Sequence, residues 1–426
     1  MILNKTNAAS TFAKKHLEEK TGLTEFVLLA ALLQSLVALS IDAMLPAFPK
    51  IGQDLGVTDA NDVQLVVMVM FMGFALGQIV YGPLSDSLGR KLPIFIGLVI
   101  YIFGSLICIF SESLTMLLNG RFLQGFGIAA PRIVMNAIIR DKFEGRSMAR
   151  VLSFVMAVFI LVPTIAPAIG QGILWLSGWR AIFVMFLLSA STALLWFALR
   201  LRETLPAEKR VPLSFRHPMA ALVEIMRTRT ALCYTICIGL VFSPFIAYLS
   251  TAQQVFVGVY GQVELFPAYF AIVALSIGTA SLLNSRLVLT FGMYSLAFWS
   301  ICVLTVLSLG FTVLLQTILP KPPLWGFMVF LIPAFFCLGL VFGNLNALAM
   351  QPLGHIAGVG ASVIGFLSML ISIPAGIVIG RAFDGTVVPL VTGFGVFGFL
   401  VGAVMHWTKR KSSIPSLFTP VQEKRD

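Results

Sequence analysis

The sequence contains few charged side chains, because Asp, Glu, Lys and Arg together make up only 11% of its 426 residues. It has no glycine-rich phosphate-binding loop with a lysine, and its four histidines do not have the spacing of metal ligands. These absences argue against an ATP-driven pump and against a metal-dependent enzyme. The five cysteines fall in apolar segments, where we expect them to pack as small apolar side chains. We therefore expect no enzyme activity, no metal and no cofactor.

Long apolar segments are what the sequence has in abundance. Hydrophobic residues account for 58% of the chain, and the mean hydropathy is +0.96. A segment of roughly 20 apolar residues is long enough to cross the ~30 Å hydrocarbon core of a bilayer as an α-helix. We count twelve such segments, of which the first covers residues 24–48. The sequence thus predicts an all-α membrane protein with twelve transmembrane helices.

A polar stretch divides the predicted helices into two sets of six. Two six-helix bundles joined by a polar linker are typical of transporters whose halves rock about a central cavity. The sequence predicts a cytoplasmic N-terminal tail at residues 1–23 and a first six-helix bundle at 24–200. A cytoplasmic linker at 201–229 leads to a second bundle at 230–407, and a cytoplasmic C-terminal tail follows at 408–426.

Basic residues indicate the orientation of the chain. With both termini in the cytoplasm, most of the 29 lysines and arginines fall on the cytoplasmic side, as the positive-inside rule requires. The formal net charge of +11 is then explained by the lipid leaflet that these residues face. We accordingly expect a lipid bilayer as a partner and no nucleic acid.

A charged cluster follows the second predicted helix, in the sequence GPLSDSLGRK. It contains Gly82, Asp86, Gly89 and Arg90, and glycine lets the chain turn sharply there. We expect Arg90 to pair with Asp141 in the next cytoplasmic loop and the resulting network to dock the two halves on that side. The alternative interpretation is an ordinary positively charged loop that contains an incidental acid.

Two opposite charges lie inside predicted helices at similar depth. Asp42 in the first helix and Arg121 in the fourth each lie about 9 Å below the outer boundary, so we expect them to meet. A carboxyl group that alternates between a guanidinium and an opened cavity can load and release a proton. We therefore predict that Asp42 carries the proton and that Arg121 sets its proton affinity. The alternative is a static pair that only joins two helices.

The fourth predicted helix carries a stripe of residues that we expect to face a substrate cavity. Arg132 on this stripe could hold an anionic or polar group of a substrate, pair with Glu25, or extend its charge toward the membrane surface. Further candidates share the face of Asp42 on the first helix or lie on the tenth. The predicted cavity residues are Gln34, Ala38, Gln124, Ile128, Arg132, Met135 and Asn344.

These motifs resemble those of a known family. GPLSDSLGRK resembles the loop 2/3 signature of the major facilitator superfamily, and RFLQGFGIAA at 121–130 is similar to its helix 4 motif. SIDAMLPAFP at 40–49, APAIG at 166–170 and RETLP at 202–206, together with Arg140 and Asp141, resemble the Bcr/CflA group of drug:proton antiporters. The resemblance implies the major facilitator fold. It also implies gating roles for Gly82, Asp86, Gly89, Arg90, Arg140, Asp141, Pro167 and Gly170.

The resemblance further implies a function. We expect a proton-coupled secondary transporter that exports small amphipathic drugs by alternating access, driven by the proton gradient, as a monomer in a bacterial inner membrane. One alternative is a narrow-specificity exporter or importer of a metabolite with the same fold. Another is a membrane sensor that does not transport, although the presence of both the intramembrane charges and the gate motifs argues against it.

Overall fold

The computed structural model describes residues 22–214 and 216–411, and all regular secondary structure in these two ranges is helical. The predicted tails therefore lie largely outside the described residues. Twelve of the described helices have 19 or more residues, and we label them in chain order. They are α1 (Leu23–Asp42), α2 (Leu65–Leu88), α3 (Lys91–Ile109), α4 (Leu114–Lys142), α5 (Gly145–Ser177), α6 (Arg180–Arg200), α7 (Arg229–Gln253), α8 (Phe266–Phe291), α9 (Met293–Thr317), α10 (Leu324–Met350), α11 (Ala357–Arg381) and α12 (Val388–Lys411).

These helices form eleven apolar stretches that are long enough to cross a membrane, counted over the described residues. The longest stretch, Leu324–Arg381, contains both α10 and α11, which a short 3₁₀ helix joins. The chain is therefore a multi-pass membrane protein. Its apolar stretches follow the hydropathy of the sequence closely.

The first apolar stretch is broken near its middle, where the sequence predicts a continuous helix to residue 48. The helix α1 ends at Asp42, and a 3₁₀ helix at Leu45–Ala47 leads into a short helix at Phe48–Asp54. Pro46 and Pro49 supply no backbone N–H to a helical ladder, which explains the break. Asp42 is thus the last residue of α1, at a helix end inside the span.

The helices of the first half pack closely around α4. At Gly125 a Cβ atom would overlap the backbone of Met70 on α2, so only glycine permits this approach. At Gly127 the same holds for the backbone of Gly97 on α3. Small residues at such crossings let helix backbones approach and are common between membrane helices. As a result α4 is enclosed by α2 and α3 along most of its length.

The two halves meet mainly through two helix pairs, α2 with α11 and α5 with α8. We call the end of the molecule that carries the α2–α3 connection the Arg90 side, and the end that carries the chain between α1 and α2 the Asp62 side. On the Arg90 side the linker contains a helix, Arg216–Arg227, that the sequence analysis does not predict. This helix buries Pro218, Ala221 and Ile225 and packs on α11.

Candidate functional site

Arg121 lies at the centre of the first half and has no exposed surface. Its Nε donates to the backbone oxygen of Val66 on α2 at 3.1 Å, and Nη2 donates to that of Ser40 on α1 at 3.0 Å. Its Nη1 donates to Gln124 Oε1 at 2.8 Å, and Gln124 Nε2 donates to Ser105 Oγ on α3 at 2.7 Å. One guanidinium, reaching α3 through Gln124, therefore ties together the first four helices, and these hydrogen-bond acceptors are all neutral.

The expected contact between Asp42 and Arg121 is wrong for this conformation. The guanidinium of Arg121 donates to the backbone oxygens of Val66 and Ser40 and to the Gln124 amide, and no ion pair joins it to Asp42 among the described residues. Asp42 is 4% exposed and lies close enough to Tyr248 on α7 for an electrostatic interaction. The Tyr248 hydroxyl is buried and has no hydrogen-bond partner among the described residues. Asp42 is thus placed where α1 meets the second half.

Gly170 of α5 supports this end of α1. A Cβ atom at Gly170 would overlap the backbone oxygen of Ala43, the residue that follows Asp42. Pro167 lies one turn earlier within α5, and the helix continues through it. The motif that suggested a gate therefore packs directly on the break beside Asp42. Its gating role stays a prediction.

Arg132 forms a second polar group on α4, closer to the Arg90 side. Its Nη1 donates to Gln34 Oε1 on α1 at 2.5 Å, and Gln34 Nε2 donates to Asn136 Oδ1 at 3.1 Å. The guanidinium carbon lies 4.7 Å from the ring centre of Phe159 on α5. Arg132 is partly exposed and Asn136 is exposed. We call Gln34, Arg132 and Asn136 the Arg132 cluster.

One expectation about Arg132 needs correction, and the exposure of its stripe differs from what a cavity lining would show. Glu25, a proposed partner of Arg132, instead accepts hydrogen bonds from Arg200 at 2.6 Å and from Trp196 at 3.0 Å. Most predicted cavity residues are packed between helices and have little exposed surface in this conformation, so their role in a cavity stays a prediction. These are Gln34, Ala38, Gln124, Ile128, Met135 and Asn344, of which Asn344 donates to Asn284 Oδ1 at 2.6 Å.

The charged cluster on the Arg90 side forms largely as predicted. Arg90 Nη1 binds Asp86 Oδ1 at 2.5 Å, and its Nε binds Asp141 Oδ2 at 2.9 Å. Burial alone lowers the pKa of Arg90, but hydrogen bonds to Asp141 and Asp86 outweigh it, so the pKa is raised and the charge is secure. Gly89 has a φ of 92°, which favours glycine at this turn. These bonds join helices of the first half only, and the predicted docking of the halves through them is not present.

The linker completes this cluster, which the sequence analysis did not foresee. Glu203 accepts hydrogen bonds from the backbone N–H groups of Arg90 at 2.8 Å and Lys91 at 3.0 Å, and so caps the start of α3. Burial raises the pKa of Glu203, but four backbone donors outweigh this effect and hold it below its ordinary value. Thr204 Oγ1 donates to Asp141 Oδ2 at 3.2 Å. The only sequence signal for this clamp was the RETLP motif itself.

A cleft between the two halves opens beside the cluster. It lies between α2 and α4 of the first half and α11 of the second half. Its lining includes Gly82, Asp86, Arg140, Gly358 and Ser362. The predicted gate residues Gly82 and Arg140 thus face the second half, whereas Arg90 and Asp141 mainly hold the first half together.

The Asp62 side is closed by neutral side chains that bridge the halves. Gln64 Nε2 donates to Gln254 Oε1 of the second half at 2.7 Å and to the backbone oxygen of Gly380 at 3.1 Å. Gln254 Nε2 donates to Asn61 Oδ1 at 3.1 Å, and Asn61 Nδ2 donates to the backbone oxygen of Phe383 at 3.2 Å. We call Asn61, Gln64 and Gln254 the amide cluster. Sequence reasoning missed it because isolated amides form no recognisable pattern.

One ion pair accompanies the amide cluster. Arg381 Nη2 lies 3.3 Å from Asp62 Oδ1, with both side chains largely open to solvent. Such an exposed pair contributes little to stability. It nevertheless adds a contact between α11 and the chain that enters α2.

Comparison with known proteins gives a consistent result. A family model described as Major Facilitator Superfamily matches residues 30–378. The chain is 32% identical to an uncharacterized MFS-type transporter, YdgK, of Bacillus subtilis over 80% of this chain and 85% of the relative. It is 28% identical to a bicyclomycin resistance protein homolog of Haemophilus influenzae over 87% of this chain and 92% of the relative.

A solved structure shows the same fold at low sequence similarity. The D-xylose–proton symporter superposes with a TM-score of 0.72 at 14% identity, over 89% of this chain and 96% of that chain. This likeness concerns the fold alone.

Proposed function

Because the chain belongs to the Major Facilitator Superfamily, whose members are transporters and not enzymes, we propose that it exports small amphipathic drugs in exchange for protons. The observation that carries this proposal is the position of Asp42. Among the helices α1–α12, the other acidic residues are Glu25, Asp86 and Asp141, and each lies within one turn of a helix end on the Arg90 side. Asp42 is therefore the acid at the depth where a proton must be carried.

The location of Asp42 suits a group whose surroundings change during transport. It lies at the end of a broken helix, within electrostatic reach of Tyr248 of the opposite half. Broken helices near the midplane commonly hold ions and substrates in transporters built from two repeats. When the halves separate, water reaches the carboxyl group and its proton affinity changes. Loading and release of the proton then follow the movement of the halves.

Arg121 acts on Asp42 through the backbone in this proposal. It fixes the carbonyl of Ser40 and so holds the last turn of α1 in place. We therefore assign Arg121 a positioning role and Asp42 the proton.

Two gates complete the proposed cycle of alternating access. The amide cluster bridges the halves on the Asp62 side, and the cleft lined by Gly82 and Arg140 lies between them on the Arg90 side. We propose that the Arg90 side faces the cytoplasm, because most lysines and arginines fall there. Twelve spans with both termini in the cytoplasm, in a bacterial inner membrane, agree with this orientation.

A drug substrate is supported by the similarity to the Haemophilus influenzae relative, whose name refers to bicyclomycin resistance. A narrow-specificity exporter or importer of a metabolite is the second candidate. The Arg132 cluster favours it, since a fixed set of polar groups selects for a matching substrate group.

Proton movement in proteoliposomes tests the proposal. We would add bicyclomycin and a panel of cationic, neutral and anionic drugs and metabolites, and would follow a pH-sensitive dye inside the vesicles. We expect substrate-dependent proton flux that Asp42→Asn abolishes. The matched control is Glu112→Gln, because Glu112 is an exposed acid between α3 and α4. Full flux in Asp42→Asn would show that another group carries the proton.

A further inference from the structure

The Arg132 cluster presents mainly hydrogen-bond donors. Gln34 is held at both ends of its amide, because its oxygen accepts from Arg132 and its nitrogen donates to Asn136. Asn136 uses its oxygen in this chain of bonds, so its amide N–H groups remain for another partner. A guanidinium carries five N–H donors and no acceptor. The groups that the cluster leaves unused are therefore mostly N–H donors beside a positive charge.

No carboxylate of the described residues balances this charge. Within the residues described here, the contacts of Arg132 are the Gln34 amide and the face of Phe159. Asp42 lies eight residues beyond Gln34 on α1, which corresponds to about 12 Å along the helix. Glu25 is bound to Arg200.

The second half supplies no counter-charge either. Its helices α7–α12 contain no aspartate or glutamate, and the two acids between those helices are Glu264 and Asp384. A substrate at the Arg132 cluster thus meets a positive group, and the helices of the second half carry no acid to balance it. A partly buried cation with no acid nearby attracts an anion more strongly than a fully solvated one does.

We propose that the Arg132 cluster is a subsite for an anionic group, a carboxylate or a sulfonate, of the transported molecule. This inference rests on the transport function proposed above and narrows it to acidic amphiphiles. The planar guanidinium binds two oxygens of such a group side by side, and Asn136 donates a further bond. Phe159 covers one face of the guanidinium and holds it in the plane that this geometry needs.

Binding of matched probes tests the inference without any need for proton coupling. The full-length protein, purified in a neutral detergent, would be titrated calorimetrically with 4-butylbenzoate, 4-butylbenzamide and 4-butylbenzylammonium, which share one apolar part. We expect the carboxylate to bind at least about tenfold more tightly than the amide, which corresponds to ~1.4 kcal/mol. Equal binding of the three probes, or no binding of the carboxylate, would overturn the inference.

Variants then assign the preference to Arg132. Arg132→Gln is expected to remove the tenfold difference, and Arg132→Lys to keep part of it, because lysine retains the charge without the planar fork. The control is Arg150→Gln, since Arg150 also lies over a phenylalanine of α5, at 5.8 Å from Phe154, but outside the cluster. Each variant would first be shown to melt near the wild-type temperature. An unchanged preference in Arg132→Gln would contradict the assignment.

Two further experiments distinguish a substrate subsite from a defect in proton coupling and from a lipid-binding site. Asp42→Asn is expected to keep the preference for the carboxylate, so a failure of proton coupling and a failure of the subsite give different results. The titration would also be repeated with excess phosphatidylglycerol. A preserved preference supports a site for the transported molecule, whereas its loss would assign the site to an anionic lipid headgroup and overturn the proposal.

Discussion

The two ends of the molecule are held by different chemistry. On the Arg90 side, charged groups and the linker fasten helices of one half to each other, through Arg90, Asp86, Asp141 and Glu203. On the Asp62 side, neutral amides fasten one half to the other. A hydrogen bond between neutral groups contributes only about 0.5–1.5 kcal/mol, because water replaces it when it opens. Strong bonds therefore lie where a half must stay rigid, and weak ones where the halves must separate.

The largest effect on stability is expected from Arg90→Ala, which removes the central cation of the charged cluster on the Arg90 side. It leaves Asp86 and Asp141 facing each other without their shared cation, so we expect the free energy of unfolding to fall by about 2–3 kcal/mol. Thermal unfolding of the purified protein measures this loss. Arg150→Ala serves as the control, since Arg150 is exposed on the same side. Equal melting temperatures for both variants would show that the cluster does not hold the half together.

Glu203→Gln tests the clamp between the linker and α3. The pKa of Glu203 is lowered, so its charged form stabilises the fold above its ordinary pKa of 4.5, and this contribution is lost as the pH falls through the lower folded value. We expect the variant to be less stable at pH 7 by about 1 kcal/mol and the difference from wild type to shrink in acid. Melting curves from pH 7 down to the acid limit of the wild type would measure it. A difference that is independent of pH would contradict the role of the charge.

Gln64→Ala tests the amide cluster on the Asp62 side. It removes two bonds between the halves and is expected to increase the population that is open on the Asp62 side, with little change in melting temperature. Spin labels at Thr58 and Glu264, in a background with the native cysteines replaced by alanine, would report the distance across this gate.

The control for this gate variant is Gln53→Ala, an exposed glutamine on the same side that bonds within its own half. We expect a broader and longer distance distribution in Gln64→Ala than in the control. Identical distributions would show that the amide cluster does not keep the gate closed.

The smallest effect is expected from Asp62→Asn. Both members of the Asp62–Arg381 pair are largely solvated, so the pair is worth at most ~1 kcal/mol and less at high salt. The same label pair would show a shift smaller than that of Gln64→Ala, and one that disappears in 1 M salt. A larger shift than that of Gln64→Ala would reverse our comparison of charged and neutral contacts.

Patterns that repeat along the chain were predictable from the sequence. The apolar stretches follow hydropathy, and the family resemblance is confirmed by the match to the Major Facilitator Superfamily. The pair of Arg90 with Asp141 is present because opposite charges in adjacent loops on one side can reach each other. The helix Arg216–Arg227 was missed because its short apolar face is interrupted by charges and a proline.

Contacts that depend on rotation about a helix axis were not predictable from depth alone. Asp42 and Arg121 were expected to meet because they lie at similar depth, yet Arg121 binds the Ser40 carbonyl, and Asp42 lies within electrostatic reach of Tyr248 in the second half. Ser40 and Asp42 are only two residues apart, and depth in the membrane does not tell which of them Arg121 contacts. The amide cluster depends on pairing residues nearly two hundred positions or more apart, and neutral side chains give no charge pattern that would suggest it.

The central claim, that Asp42 releases a proton when substrate binds, is tested most directly with purified protein in weakly buffered solution. Addition of bicyclomycin or of another bound compound from the panel would be followed with a pH indicator. We predict proton release by the wild type and by Glu112→Gln, and none by Asp42→Asn at saturating ligand. Equal release by Asp42→Asn would contradict the account.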